Sequence, residues 1–184
     1  RFYRYYGNSG KWTIFNVALH TTDLYIRALK QLNSEALEHL TEARKAIEKH
    51  IDIRTEFLTS LDPLTWSGEI HPLLAEMYKA GETAGTGPMA AVAGAIAEYT
   101  GKKLSLFSEE VIVENGGDIW LNLQKPVTIG LYMDNIYFRD RLALKINGEK
   151  TPCSVCTSSS KTGHSISFGK ADSVTVIAGN GAIA

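Results

Sequence analysis

Three short segments of the chain combine residue types that can do chemistry. In the first, from Gly85 to Glu98, glycines and Pro88 precede a run of small apolar residues. Proline suits the first position of a helix, and the N–H groups at a helix N-terminus attract anions. This segment predicts a helix that packs tightly against a sheet and whose start can hold a phosphate group. The candidate contacts are Thr86, Gly87, Met89 and Ala90.

The second segment is Glu-Asn-Gly-Gly-Asp, from Glu114 to Asp118, between two apolar runs. Asn-Gly is a preferred pair for tight hairpin turns, so a turn at Asn115 and Gly116 is predicted. Two neighbouring carboxylates repel unless a cation or hydrogen bonds compensate. Glu114 and Asp118 are therefore candidates for a ligand or metal site.

The third segment, from Cys156 to Ser165, concentrates hydroxyl groups with Lys161 and His164. Hydroxyl and lysine donors can bind phosphate, and a histidine can donate a proton near neutral pH. His164 is thus a candidate catalytic residue. The candidate ligand contacts here are Thr157, Ser158 and Ser159. The alternative is a polar loop between two strands without a ligand.

Composition limits the classes of function. The chain has 184 residues, of which 44% are hydrophobic and 21% charged, and its net charge is −1. These values predict one globular domain over residues 1–184 and give no support for nucleic acid as a partner. Without an apolar run of about 20 residues or a signal peptide, we expect a cytoplasmic protein that does not bind membranes. Because the first residue is Arg1, we expect the termini of the domain to be incomplete.

The two cysteines, Cys153 and Cys156, have C-x-x-C spacing within a stretch that is predicted to be extended. One pair cannot complete a four-ligand zinc site, and a thioredoxin-like redox motif normally begins a helix. We therefore expect both to be reduced structural cysteines.

Strands and helices are predicted in separate blocks. Runs at Lys11 to His20 and Asp23 to Leu29, with Phe2 to Tyr6 before them, predict a meander. A helix capped by Asn33 or Ser34 follows. Its expected buried residues are Leu37, Leu40, Ala43, Ile47 and Ile51.

A second helix is predicted near Pro72 to Ala80, buried through Leu73, Leu74 and Met77, and the alanine-rich helix is expected to end at Gly101. The second half alternates with period two. Its predicted strands are Val111 to Glu114, Ile119 to Leu123, Val127 to Tyr132, Leu142 to Ile146, Val155 to Ser158, Ser165 to Phe168 and Val174 to Ala178. This grouping predicts an α+β fold with helices on antiparallel sheet, not a doubly wound nucleotide fold. Two similar runs, 111–117 and 174–181, are consistent with a duplicated half.

Taken together, the segments resemble the ApbE-like superfamily, which includes the flavin transferases. The resemblance rests on Gly-Pro-Met-Ala-Ala at residues 87–91, Glu-Asn-Gly-Gly-Asp at 114–118 and Cys-Thr-Ser-Ser at 156–159, with His164 downstream. It implies an ApbE-like α+β fold that binds FAD between these segments, with contacts at Asn115, Gly116 and Gly117. It also implies Asp118 as the metal ligand, and Asp118 and His164 as the candidate catalytic residues. Characterised members use magnesium to move an FMN unit from FAD to a protein threonine.

The resemblance therefore implies a flavin or other nucleotide-type ligand, with FMN transfer or FAD hydrolysis at its pyrophosphate. Those enzymes carry a lysine where this chain has Ala91 or Val92, and an Asp-Pro pair after the histidine where this chain has Ser165 and Ile166. Two alternatives follow. One is a nucleotide-binding module without catalysis. The other is a homo-oligomer in which the alanine-rich helix is an interface element and no nucleotide binds.

Overall fold

The computed structural model describes residues 10–133, 135–138, 141–161 and 167–184. The elements, in chain order, are β1 (Thr13–Leu19), β2 (Thr22–Ala28), α1 (Asn33–Ile53), α2 (Glu56–Thr59), α3 (Pro72–Ala84), a 3-10 helix (Pro88–Ala91), α4 (Val92–Leu104), β3 (Val111–Asn115), β4 (Asp118–Asn122), β5 (Val127–Leu131), β6 (Leu142–Ile146), a 3-10 turn (Gly148–Lys150), β7 (Cys153–Ser158) and β8 (Val174–Ala178). None of the described helices is long and apolar enough to cross a membrane.

Six strands form one sheet in the order β1-β2-β3-β4-β7-β8, and every neighbouring pair is antiparallel. Strands β5 and β6 form a separate antiparallel hairpin. The α+β class predicted from the sequence, with helices packed on antiparallel sheet, is confirmed. The two runs of similar sequence occupy different places, because β3 is an inner strand and β8 is an edge strand.

The two faces of the sheet have separate apolar clusters, because side chains alternate along each strand. On one face, Val111, Val113 and Trp120 pack with residues of the helices. On the other face, Leu121 and Val155 belong to a smaller cluster that the β5–β6 hairpin covers. Both faces of the inner strands are therefore buried, which explains their largely continuous apolar sequence.

Two glycines allow α4 to pack closely against its neighbours. A Cβ on Gly101 would lie 2.1 Å from Cε3 of Trp120 on β4, and a Cβ on Gly94 would lie 2.1 Å from the carbonyl oxygen of Gly181. Such distances leave no room for any side chain. The tight packing that the sequence predicted is present. Gly101 does not end the helix, however, because α4 continues to Leu104 and uses the glycine as the contact point for the indole.

The prediction for α1 was right in extent but partly wrong in its buried face. The helix begins at Asn33 after Leu32, and no side chain caps it, so neither Asn33 nor Ser34 is the cap. Leu37 is 45% exposed. The residues of α1 that are buried are Ala36, Leu40, Ala43, Ile47 and His50. His50 closes the apolar stripe because its ring donates to or accepts from the hydroxyl of Tyr78 at 2.7 Å and packs against aromatic rings.

The remaining differences concern the ends of elements. α3 runs four residues past the predicted Ala80 and stops at Gly85, whose φ of 68° is in the left-handed region. The short helix α2 was not predicted. Phe2 to Tyr6, together with Ser165 and Ile166 of the predicted strand at Ser165 to Phe168, lie outside the described residues. Ser167 and Phe168, the rest of that strand, are irregular.

Replacing Gly101 by alanine should destabilise the protein. Alanine favours a helix by about 1 kcal/mol over glycine, but its Cβ would overlap the Trp120 ring, and overpacking of this kind costs about 1 to 3 kcal/mol. We expect Gly101→Ala to unfold at a lower urea concentration than the wild type. Gly130→Ala is the control, because a Cβ on Gly130 meets no atom within 4 Å. A Gly101→Ala variant as stable as the wild type would contradict this packing.

Candidate functional site

The turn between β3 and β4 lies at one end of the main sheet and contacts two other predicted segments. Nδ2 of Asn115 donates to the carbonyl oxygen of Ala93 in the first turn of α4 at 3.1 Å. The amide of Thr157, near the end of β7, donates to Oδ1 of Asp118 at 3.2 Å. The fold thus brings together parts of all three segments. We call residues 115–118 with Cys156, Thr157 and Ser158 the turn site.

The turn itself is Gly116-Gly117, one residue later than predicted. Asn115 pairs with Asp118 as the last pair of the β3–β4 ladder, so Asn115 belongs to the strand. Gly116 and Gly117 have φ of 69° and 114°, as a tight two-residue hairpin requires. Asn115 is buried, and its side chain connects the sheet to α4 instead of shaping the turn.

Asp118 is the carboxylate of the turn site, and it is half-buried. Burial raises the pKa of Asp118 to about 6, against the opposing effect of hydrogen bonds from the Thr157 amide and the Cys156 thiol. The charge of Glu114 adds to the rise. Near neutral pH, Asp118 can therefore exchange a proton or, when ionised, attract a cation.

The side chains of Glu114 and Asp118 lie on opposite faces of the sheet, although the charge of Glu114 still acts on the pKa of Asp118. Glu114 lies opposite Ile119 in the ladder, while Asp118 lies opposite Asn115. Because side chains alternate along a strand, Glu114 and Asn115 belong to opposite faces of the sheet. Within the described ranges, no group of three or more His, Cys, Asp and Glu side chains could hold a metal ion. A cation at Asp118 would thus need most of its ligands from outside the described residues.

Both cysteines are free and buried. They lie three residues apart on β7 and therefore belong to opposite faces, so they cannot form a disulfide with each other. Cys156 is next to Asp118, and its Sγ is 3.8 Å from the carbonyl oxygen of Gly181. Burial, with the charges of Asp118 and Glu98, raises the pKa of Cys156 far above its ordinary value. Its thiol stays protonated and is not a nucleophile.

Sequence analysis missed Glu98, which is 5% exposed. One carboxylate oxygen of Glu98 accepts from the amide of Gly181 at 2.6 Å, and the other lies 2.6 Å from Nζ of Lys102. Glu98 thereby holds the segment after β8 beside the first turns of α4. The only sequence signal was a single acidic residue within an otherwise apolar helical stretch.

Three backbone amides near the start of the alanine-rich helix have partners within the fold. The amides of Thr86, Gly87 and Ala90 donate to the carbonyl oxygens of Gly81, Leu61 and Gly87, at 2.9, 2.8 and 3.1 Å. Gly87 is required for another reason, because a Cβ there would lie 1.7 Å from the carbonyl oxygen of Ser60. Met89 packs against the helix core. Ligand contacts by Thr86, Gly87, Met89 and Ala90 stay a prediction.

The polar segment after Cys156 uses several of its groups within its own loop. The hydroxyls of Thr157 and Thr175 are 3.0 Å apart, and Ser159 donates to the carbonyl oxygen of Asp172 at 2.7 Å. Lys161 forms an ion pair with the carboxylate of Asp172. Ser158, the last residue of β7, is exposed. His164 lies outside the described residues, so its place relative to Asp118 stays a prediction.

The raised pKa of Asp118 makes stability depend on pH. The unfolded chain releases this proton near 3.8 and the folded protein near 6, so the folded state binds more protons between these values. The contribution of Asp118 to stability therefore falls as pH rises through this range. Relative to the wild type, Asp118→Asn should become more stable by about 1 to 3 kcal/mol between pH 4 and pH 7.

Urea unfolding at pH 4, 5, 6 and 7 measures this difference. The control is Asp62→Asn, which changes an exposed carboxylate, and its difference from the wild type should stay nearly constant. If the two variants had the same pH dependence, the raised pKa of Asp118 would be wrong.

Comparisons with known proteins identify relatives of the whole chain. A family model described as AbpE bacteria matches residues 6–184. A UPF0280 protein of Methanobrevibacter smithii is 39% identical over 87% of this chain and 68% of its own length. UPF0280 proteins of Methanocaldococcus jannaschii and Archaeoglobus fulgidus are 43% and 36% identical, over 82% and 95% of this chain. The chain spans 62% and 68% of the lengths of these two curated relatives.

These findings correct the resemblance drawn from the sequence. AbpE is a different family from the ApbE-like superfamily, and neither the matching model nor these relatives connect the chain to flavin transferases. The short glycine-rich segments that suggested the superfamily have structural roles here, at the β3–β4 turn and at the close contact of Gly87. The chain belongs to the family described as AbpE bacteria, and its archaeal relatives are UPF0280 proteins.

Proposed function

We propose that the protein binds a nucleotide-type ligand through its phosphate groups at the turn site. The observation that carries this proposal is Asp118 itself, a half-buried carboxylate with a pKa near 6 that accepts a hydrogen bond from the Thr157 amide of β7. A group whose burial costs free energy and whose proton is exchangeable near neutral pH is characteristic of functional sites. The contact of the turn with α4 is made by Asn115, so the Asp118 carboxylate is not part of that contact.

The surroundings of Asp118 suit a compact anionic ligand with a cation. A Cβ on Gly117 would meet only the carbonyl oxygen of Thr157, at 3.8 Å, so the turn offers an open surface for close approach. The exposed Ser158 hydroxyl can donate to a phosphate oxygen. Magnesium commonly binds through one or two carboxylates together with substrate phosphates and water, so one carboxylate suffices when the ligand supplies the remaining oxygens.

Each chain residue then has a defined task. Asp118, ionised above about pH 6, binds the cation that accompanies the ligand's phosphates. The amide of Thr157 positions that carboxylate by donating a hydrogen bond to it. A bound magnesium ion would neutralise phosphate oxygens. His164, which lies outside the described residues, is proposed as the proton donor to the leaving phosphate if water cleaves the ligand's pyrophosphate.

The ligand's base and the reaction are decided by experiment. FAD and FMN are tested first, with ADP as the nucleotide that lacks the isoalloxazine ring. FAD hydrolysis or FMN transfer makes the protein an enzyme, and binding without turnover makes it a binding module. The alternative of an oligomer joined through the alanine-rich helix is less favoured, because Gly94 and Gly101 are already in contact with the chain's own residues.

Calorimetric titration tests this proposal. We expect FAD, FMN or ADP to bind, with an affinity that magnesium increases at pH 7.5. Asp118→Asn should lose the magnesium-dependent part, about tenfold in Kd, because the amide cannot supply a negative charge to the cation. Mass analysis of the nucleotide after incubation detects AMP or FMN if the pyrophosphate is cleaved.

Asp62→Asn, which removes an exposed carboxylate, should bind as the wild type does. The proposal is wrong if none of the three nucleotides binds. It is also wrong if Asp118→Asn binds as tightly as the wild type in magnesium, because the ligand would then lie elsewhere.

A further inference from the structure

A separate cavity of about 380 Å³ opens near the start of β7, away from the turn site at the end of that strand. Its walls come from the end of β6, the 3-10 turn after it, the first residues of β7 and the end of β8. This volume lies within the range of pockets that hold small organic molecules. Nothing in the proposed nucleotide site uses these residues.

The lining of the cavity combines apolar side chains with two lysines. Ile146 and Cys153 are 6% and 4% exposed, and Ile177 of the edge strand β8 is 52% exposed. Lys145 and Lys150 are exposed and also line the cavity, and none of its lining residues is acidic. The lining therefore offers both an apolar surface and two long cationic side chains.

The 3-10 turn that carries Lys150 is held in place before any ligand binds. Oγ1 of Thr151 accepts from the amide of Leu123 at 2.9 Å and donates to the carbonyl oxygen of Gly148 at 2.7 Å. The amide of Lys150 donates to Asn147 at 3.0 Å, and a Cβ on Gly148 would lie 2.7 Å from the backbone of Gln124. Because this turn is already ordered, binding a ligand loses less conformational entropy there.

We propose that this cavity binds a small organic anion, with its apolar body on Ile146, Cys153 and Ile177 and its charged group between Lys145 and Lys150. The Cys153 thiol serves as part of the apolar surface, since burial raises its pKa and keeps it neutral. The lysine stems can lie along the apolar body while their ammonium groups meet the anion. This site is independent of nucleotide binding at the turn site.

NMR titration of the ¹⁵N-labelled protein tests the site with three probes of the same shape: 2-naphthyl phosphate, 2-naphthoate and neutral 2-naphthol. We expect both anions to cause saturable shifts of amide signals at residues 145–150 and 177–179, and 2-naphthol to bind at least about tenfold more weakly. The double variant Lys145→Gln/Lys150→Gln should weaken binding of the anions about tenfold. The control, Lys30→Gln/Lys79→Gln, removes the same charge from exposed positions elsewhere and should bind as the wild type does.

Three results would overturn the site. The first is that the anions leave the amides of 145–150 and 177–179 unshifted. The second is that neutral 2-naphthol binds as well as the anions, which would make the cavity a mere apolar surface. The third is that the double variant, with a wild-type-like spectrum, retains full affinity. Asp118→Asn separates this site from the turn site, because it should leave the naphthyl anions' binding unchanged.

Discussion

The close contact of α4 with the main sheet is the constraint on which the rest of the structure depends. Gly101 lets the helix rest on the Trp120 ring, and Gly94 lets the backbone near Gly181 pass against it. Because both contacts tolerate no side chain, they closely constrain the distance between α4 and the strands β4 and β7. The first turn of α4 therefore reaches the β3–β4 turn, where Asn115 can bond to Ala93.

Buried polar side chains then hold in place segments that lie outside the helices and strands. Glu98 fastens the segment after β8 through Gly181. Glu110, 2% exposed, accepts from the amides of Gln124 and Lys125 at 2.7 and 3.0 Å and pairs with Lys11. Each carboxylate satisfies backbone donors that would otherwise be buried without partners. These contacts position the β5–β6 hairpin and the segment after β8. Residues of both line the cavity near the start of β7.

Most strands and helices could be predicted from the sequence, because their apolar residues recur with the period of the element. What periodicity cannot show is why a glycine is needed. A close backbone contact requires Gly87, and the indole ring of Trp120 requires Gly101. The sequence pattern instead suggested a phosphate contact for Gly87 and the end of a helix for Gly101. Asn-Gly also resembles a turn as closely as Gly-Gly does, which placed the β3–β4 turn one residue early. The same ambiguity made short glycine-rich segments resemble a superfamily to which the chain does not belong.

Asp118 differs in kind from the other polar groups around α4. Asn115 and Glu98 use their polar atoms for partners that the fold requires, so evolution for stability alone explains them. For Asp118, burial outweighs the hydrogen bonds that it accepts, and the result is a pKa near 6. An asparagine could accept the Thr157 amide bond without that cost. The proposed binding site gives this carboxylate a role that needs its charge or its proton, and this argument applies whichever ligand the turn site binds.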